Sequence, residues 1–207
     1  MLIRFGLVFL LTFVSANSAF AAGTKHKLPE AKTLDGPISL LGIELGQALS
    51  LPACPLDTSY GVTSLVRDYD IHQTCWYAYG KSSVPSYGAV DIHFDYANKP
   101  SFLQFGYINV SMRAGLVDKI DVFTNGVRDQ DVVYTQLVSK FGKPQVYSKT
   151  EQANLMGAKF DVIIAEWHRK DGANVTLFGT LDKFTNGSIS ASSAAAEEEE
   201  RARAAAH

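Results

Sequence analysis

The chain predicts an α+β protein, an antiparallel sheet with helices on one face, laid out as two similar helix-then-sheet units. Three observations carry that reading. Residues 90–96 alternate apolar Val90, Ile92, Phe94 and Tyr96 with polar Asp91, His93 and Asp95, the period-2 signature of a half-buried strand. Residues 129–141 place Val133, Leu137 and Phe141 on one helical face, with Asp129 and Asp131 at the start and Lys140, Gly142 and Pro144 at the stop. The remaining apolar runs are short and are punctuated by the turn pairs Ala114-Gly115, Asp171-Gly172 and Asn186-Gly187.

At the N-terminus, Arg4, the apolar run Phe5 to Val14 and the small-x-small triplet Ala19-Phe20-Ala21 have the form of an export signal. The run is shorter than the roughly 20 apolar residues that span a bilayer, so no stable membrane insertion is expected. Cleavage near Ala21 would deliver a periplasmic or secreted chain of about 185 residues, enough for one domain with a real core. Losing Arg4 takes the formal charge from -2 to -3, and no basic stripe remains, which argues against nucleic acid or anionic lipid as a partner. The two cysteines, Cys54 and Cys75, are expected to pair in an oxidising compartment, since they form no Cys-x-x-Cys and supply too few ligands for a structural zinc site.

Residues 22–37 lack periodicity and read as a flexible leader, with order expected from Ile38. Ile38 to Leu45 is strand-like, and Gly46 to Leu51 has room for one or two helical turns before Pro52. Cys75 to Tyr79 is an aromatic strand bounded by Gly80. Tyr107 to Arg113 and Leu116 to Thr124 make a hairpin, and the helix over 129–141 follows. Strands are then expected at 145–149, 161–169 and 174–179, with Ile163, Ala165 and Trp167 facing the core beside Val175 and Leu177, and a short one at 188–191. The single α+β domain is placed at 38–190, with halves of about 38–124 and 125–190. Residues 191–207 form a charged Ala/Glu/Arg tail that reads as a solvated appendage, although Glu197 with Arg201 and Glu199 with Arg203 favour local helix.

The segment from Asn125-Gly126 through Leu137 to Phe141-Gly142-Lys143-Pro144 resembles the helix of the small barrel-assembly lipoproteins of bacterial outer membranes and of the β-lactamase inhibitor proteins. Gly42-Ile43-Glu44-Leu45-Gly46, with Cys54 and Cys75 after it, resembles the start of the same unit. The chain departs from the lipoproteins in having no cysteine at the cleavage site, and from both in carrying Pro52 at the first helix. The resemblance implies a periplasmic module that binds another protein through a sheet face. Matching positions are mostly Gly, Pro and apolar residues, which specify turns and packing.

No Gly-x-Ser-x-Gly elbow, phosphate-binding glycine loop or His-Glu-x-x-His occurs, so no catalytic residue, metal or cofactor is assigned. The candidate binding residues are Asp91, His93 and Asp95 on the wet side of their strand, joined by Tyr77 and Tyr79, whose rings pack while their hydroxyls remain available. Glu166 and His168 repeat the carboxylate and imidazole spacing in the second half. Trp76 and Trp167 are assigned to core packing. The expected function is protein binding in the periplasm, as an inhibitor or immunity-type protein acting on an envelope enzyme. The alternatives are a cell-envelope hydrolase with a dispersed active site and an envelope-assembly factor.

Overall fold

The computed structural model describes residues 34–58, 64–154 and 156–206. The expected signal segment and the leader as far as residue 33 lie outside these. In chain order the elements are β1 (Ser39–Leu40), β2 (Ile43–Glu44), β3 (Leu56–Asp57), β4 (Ser64–Leu65), β5 (Cys75–Tyr77), β6 (Gly88–His93), β7 (Tyr107–Arg113), β8 (Leu116–Thr124), α1 (Gln130–Phe141), β9 (Val146–Ala153), β10 (Lys159–His168), β11 (Asn174–Phe178), β12 (Gly187–Ser192) and α2 (Ala194–Ala205). Eight strands form one sheet in the order β5-β6-β7-β8-β12-β11-β10-β9. Neighbours are antiparallel throughout, so the sheet consists of two meanders, β5 to β8 and β9 to β12, joined along their last strands.

Alternation decides which face of this sheet is buried. Ile108, Val110, Ile120, Val122, Val175, Leu177, Ile189, Ala165 and Trp167 point to one side and are fully or almost fully buried there. The helix α1 covers that side with Val133 and Leu137, while half-buried Phe141 meets Trp167 ring to ring at 6.4 Å. Trp167 also donates its indole N–H to the Gly142 carbonyl at 2.8 Å, tying the end of α1 to β10. The other end is tied by Gln130, buried at the start of the helix. Its side chain accepts from the Ile163 N–H at 2.9 Å and donates to the Asp161 carbonyl at 2.5 Å. The two Trp residues, the α1 face and the β7–β8 hairpin therefore lie where the sequence places them. At the hairpin, Ala114 and Gly115 have φ of 51° and 78°, the paired positive angles of a tight primed turn.

Four expectations are corrected. Gly46 to Leu51 forms no helix. Gly46 donates its N–H to the Val117 carbonyl at 2.8 Å and Gln47 accepts from Val117 at 2.9 Å, so the tip of β8 takes the Gln47 carbonyl that a helix would pair within itself. Just before that segment, the strand-like Ile38 to Leu45 forms a small hairpin of β1 and β2. Order begins before Ile38, because Leu34 is buried and donates its N–H to the His168 carbonyl at 3.0 Å. The strand beginning at Cys75 stops at Tyr77, and the one over 90–96 stops at His93, leaving Asp95 and Tyr96 in the following turn. The charged tail is α2, not a free appendage. Ser193 caps it by accepting from the Ala196 N–H at 3.1 Å and donates its hydroxyl to Asp118 at 2.5 Å.

The disulfide is present as expected, Cys54 to Cys75, 21 residues apart. It fastens an extended segment along the edge of β5, where Cys54 donates to the Trp76 carbonyl at 2.8 Å and Trp76 donates to the Pro52 carbonyl at 2.9 Å. Around it, Cys54, Cys75 and Ile71 form a second small core against Leu65, Val66 and Tyr77.

Candidate functional site

The face of the sheet opposite α1 carries the residues that the alternation turns outward. Strand pairing aligns them in rows. One row runs Tyr77, Asp91, Asn109, Asp121, Ser190, Thr176 and Glu166 across β5, β6, β7, β8, β12, β11 and β10. All of these are half-buried, held by neighbours along the strand plane but open above it. Asn109 donates its side-chain amide to Asp91 at 2.5 Å, and Ser190 donates its hydroxyl to Asp121 at 2.8 Å, so the row is organised by hydrogen bonds between strands.

A second row beside it is aromatic. His93 and Tyr107 are paired across β6 and β7, with rings 5.1 Å apart. Phe105 stacks on Tyr107 at 5.7 Å and meets Phe123 edge-on at 5.9 Å. Phe178 and Ile164 continue the register on β11 and β10. Rings on a rigid strand lose little freedom on binding and give a partner both apolar surface and a polar edge.

The five sequence-derived binding residues do not stay together. Tyr77 and Asp91 lie opposite each other in the polar row. Tyr79 is 86% exposed in the turn after β5. Asp95 accepts from the Ala97 N–H at 3.1 Å and the Asn98 side chain at 2.6 Å, a turn-forming role beyond the strand end. His93, expected to be wet, is only 5% exposed. It shares its side with Cys75, and the disulfide-held segment closes over that corner. Neither ring nitrogen has a hydrogen-bond partner among the described residues. Burial pushes its pKa below the usual value of 6.5, against the opposing pull of Asp91 and of Asp68, whose carboxylate lies 4.0 Å away.

Glu166 and His168 do lie in the same sheet and on the same side as Asp91, 3.1 Å from each other. Five strand spacings of about 4.8 Å separate Glu166 from Asp91, roughly 24 Å, so the two carboxylates cannot act on one reacting atom. No group of three or more His, Cys, Asp or Glu among the described residues has metal-binding geometry. Tyr107, Asn109, Asp121 and Phe123 were not singled out from the sequence. Their signal was the same alternation seen at 90–96, repeated on both arms of the hairpin.

At one end of the face, α2 leans over the sheet. Arg113 reaches Asp118 at 2.8 Å and Glu199 at 2.5 Å, and Lys119 lies 3.5 Å from Asp121 and 3.9 Å from Glu200. Between helix and sheet is a cavity of about 710 Å³ whose lining includes Ser111, Lys119, Asp121, Glu199 and Arg203. No protein-family model, curated protein or solved structure matches the chain.

Proposed function

We propose that this protein is exported to the periplasm or secreted and acts by binding another protein on the open face of its eight-stranded sheet, as an inhibitor or immunity-type protein for an envelope enzyme. The observation that carries the reading is the pairing of two rows on that face, one polar and cross-linked between strands, the other aromatic. That combination suits the apolar anchors and polar surround of a protein interface. The disulfide and the export-like N-terminal pattern support the location. No helix among the described residues is long and apolar enough to cross a membrane. We also read the two meanders as related units, although only the second carries a helix before its strands.

The test is cross-linking in envelope extracts with identification of the captured protein, comparing wild type, a Tyr107→Ala/Phe123→Ala double variant and a Lys140→Ala control on the helix side. Loss of a specific capture in the face variant alone supports the assignment. Equal capture by all three sinks it. A hydrolase would instead need convergent groups, and Asp91 and Glu166 lie too far apart to serve as such a pair.

A further inference from the structure

We propose that the open face receives a segment of its protein partner that presents an arginine or lysine side chain flanked by apolar residues, with the cationic head on Asp91. This rests on the face being a protein-binding surface and adds what the partner must carry. The argument begins with the charges already satisfied. Among the described residues, each cation of the face has its acid: Arg113 has Asp118 and Glu199, Lys119 has Asp121 and Glu200, and His168 has Glu166. The chain's own acidic helix has thus taken the basic end of the surface.

Asp91 is different. Its carboxylate accepts from the neutral amide of Asn109, and no cation among the described residues lies within ion-pair distance of it. The His93 imidazole next to it is kept neutral at ordinary pH by burial, so it does not offset the charge. Two tyrosines flank the position of Asp91 in the sheet, both with their rings against His93. Tyr77 is its direct partner across β5 and β6, and Tyr107, paired with His93, is its diagonal neighbour on β7. Diagonal neighbours on one sheet face stand about 7 Å apart, within reach of an aromatic side chain. A carboxylate beside two tyrosine positions suits a cation with a long apolar stem, because the head gains the charge-assisted bond while the methylenes cover Tyr107 and Phe105. The partner's flanking apolar residues then meet Phe123 and Phe178.

Two capped tripeptides, leucine-arginine-leucine and leucine-citrulline-leucine, separate charge from shape. Each is titrated into the full chain while backbone amide shifts are followed by NMR. The expected result is saturable movement at Asp91, Tyr107, Asn109 and Asp121 with the arginine peptide and at least about tenfold weaker binding of citrulline, the size of one lost charge-assisted contact. Raising salt from roughly 50 to roughly 300 mM should weaken the arginine peptide several-fold and leave citrulline unchanged. Asp91→Asn should bring the arginine peptide down to the citrulline level, and Asp91→Glu should restore the preference. If Asp91→Asn does not fold, the salt series and the peptide pair on wild type decide alone. Equal affinity for the two peptides, or no saturable shift on the face with either, overturns the proposal. In those cases the broader reading of the face is still judged separately by the Tyr107→Ala/Phe123→Ala capture experiment.

Discussion

His93 concentrates the residue-scale physics of this molecule. Its ring is buried beside Tyr77 and Tyr107 with no hydrogen-bond partner among the described residues, and burial holds its pKa below 6.5. The unfolded chain takes up a proton as pH falls through about 6.5, whereas the folded chain does so only at lower pH. Stability is therefore flat above that value and declines as pH drops toward the folded pKa. His93→Leu should remove this part of the acid loss and cost little at pH 7.5, because it also removes an unpaired buried polar group. Urea midpoints at pH 7.5 and 5.0 test it, and an equal decline in both proteins would refute it. Asp171 titrates in a separate window. Its bond from Arg169 depresses its pKa from 3.8 to about 2, so whatever it contributes is lost only as pH falls below about 4.

At the scale of elements, α1 is held at both ends and along one face. Leu137→Ala should cost about 2–5 kcal/mol in chemical denaturation, whereas Lys140→Ala, which loses an exposed bond to Ser39 and a cation contact with the Phe141 ring, should stay within about 1 kcal/mol. Gln130→Ala should cost about 2–3 kcal/mol, since it leaves the Ile163 N–H and the Asp161 carbonyl without their side-chain partner. Gly179 leaves the space for that plug: a Cβ there would lie 2.0 Å from the Gln130 side-chain oxygen. Gly179→Ala should therefore destabilise, and combining it with Gln130→Ala should cost less than the sum of the two. A fully additive double variant would mean the glycine and the glutamine are not coupled. The disulfide acts on the other meander. Reduction should cost about 2–4 kcal/mol and speed amide exchange first at 65–77, with β10 and β11 remaining protected.

For the molecule as a whole, the two meanders share one sheet, and α2 lies against its central strands β8 and β12. The helix is anchored by the Ser193 cap and by solvent-exposed ion pairs, which screening keeps weak. Removing residues 194–207 should lower thermal stability by only a few degrees. It should also release Arg113 and Lys119 from Glu199 and Glu200, making the open face less acidic and reducing its preference for the arginine tripeptide over citrulline. An unchanged preference after truncation would show that α2 does not shape the charge of the face.

Much of this architecture was legible from local pattern. The period of β6, the Ala114-Gly115 turn and the α1 stripe and stop signal follow from nearest-neighbour chemistry, which is the same wherever the segment ends up, and the disulfide follows from there being two cysteines to pair. What the sequence could not settle was who covers whom. Gly46 to Leu51 has helix-compatible residues, but its backbone groups were claimed by Val117, far along the chain. His93 alternates as a wet residue, but a disulfide-held segment closes over it. The alanine-rich tail lacks an apolar stripe, yet cations on β7 and β8 await its glutamates. Local periodicity determined the strands, the turns and α1; only the tertiary structure decided which polar residues stay at the surface, because burial and ion pairing depend on neighbours distant in sequence.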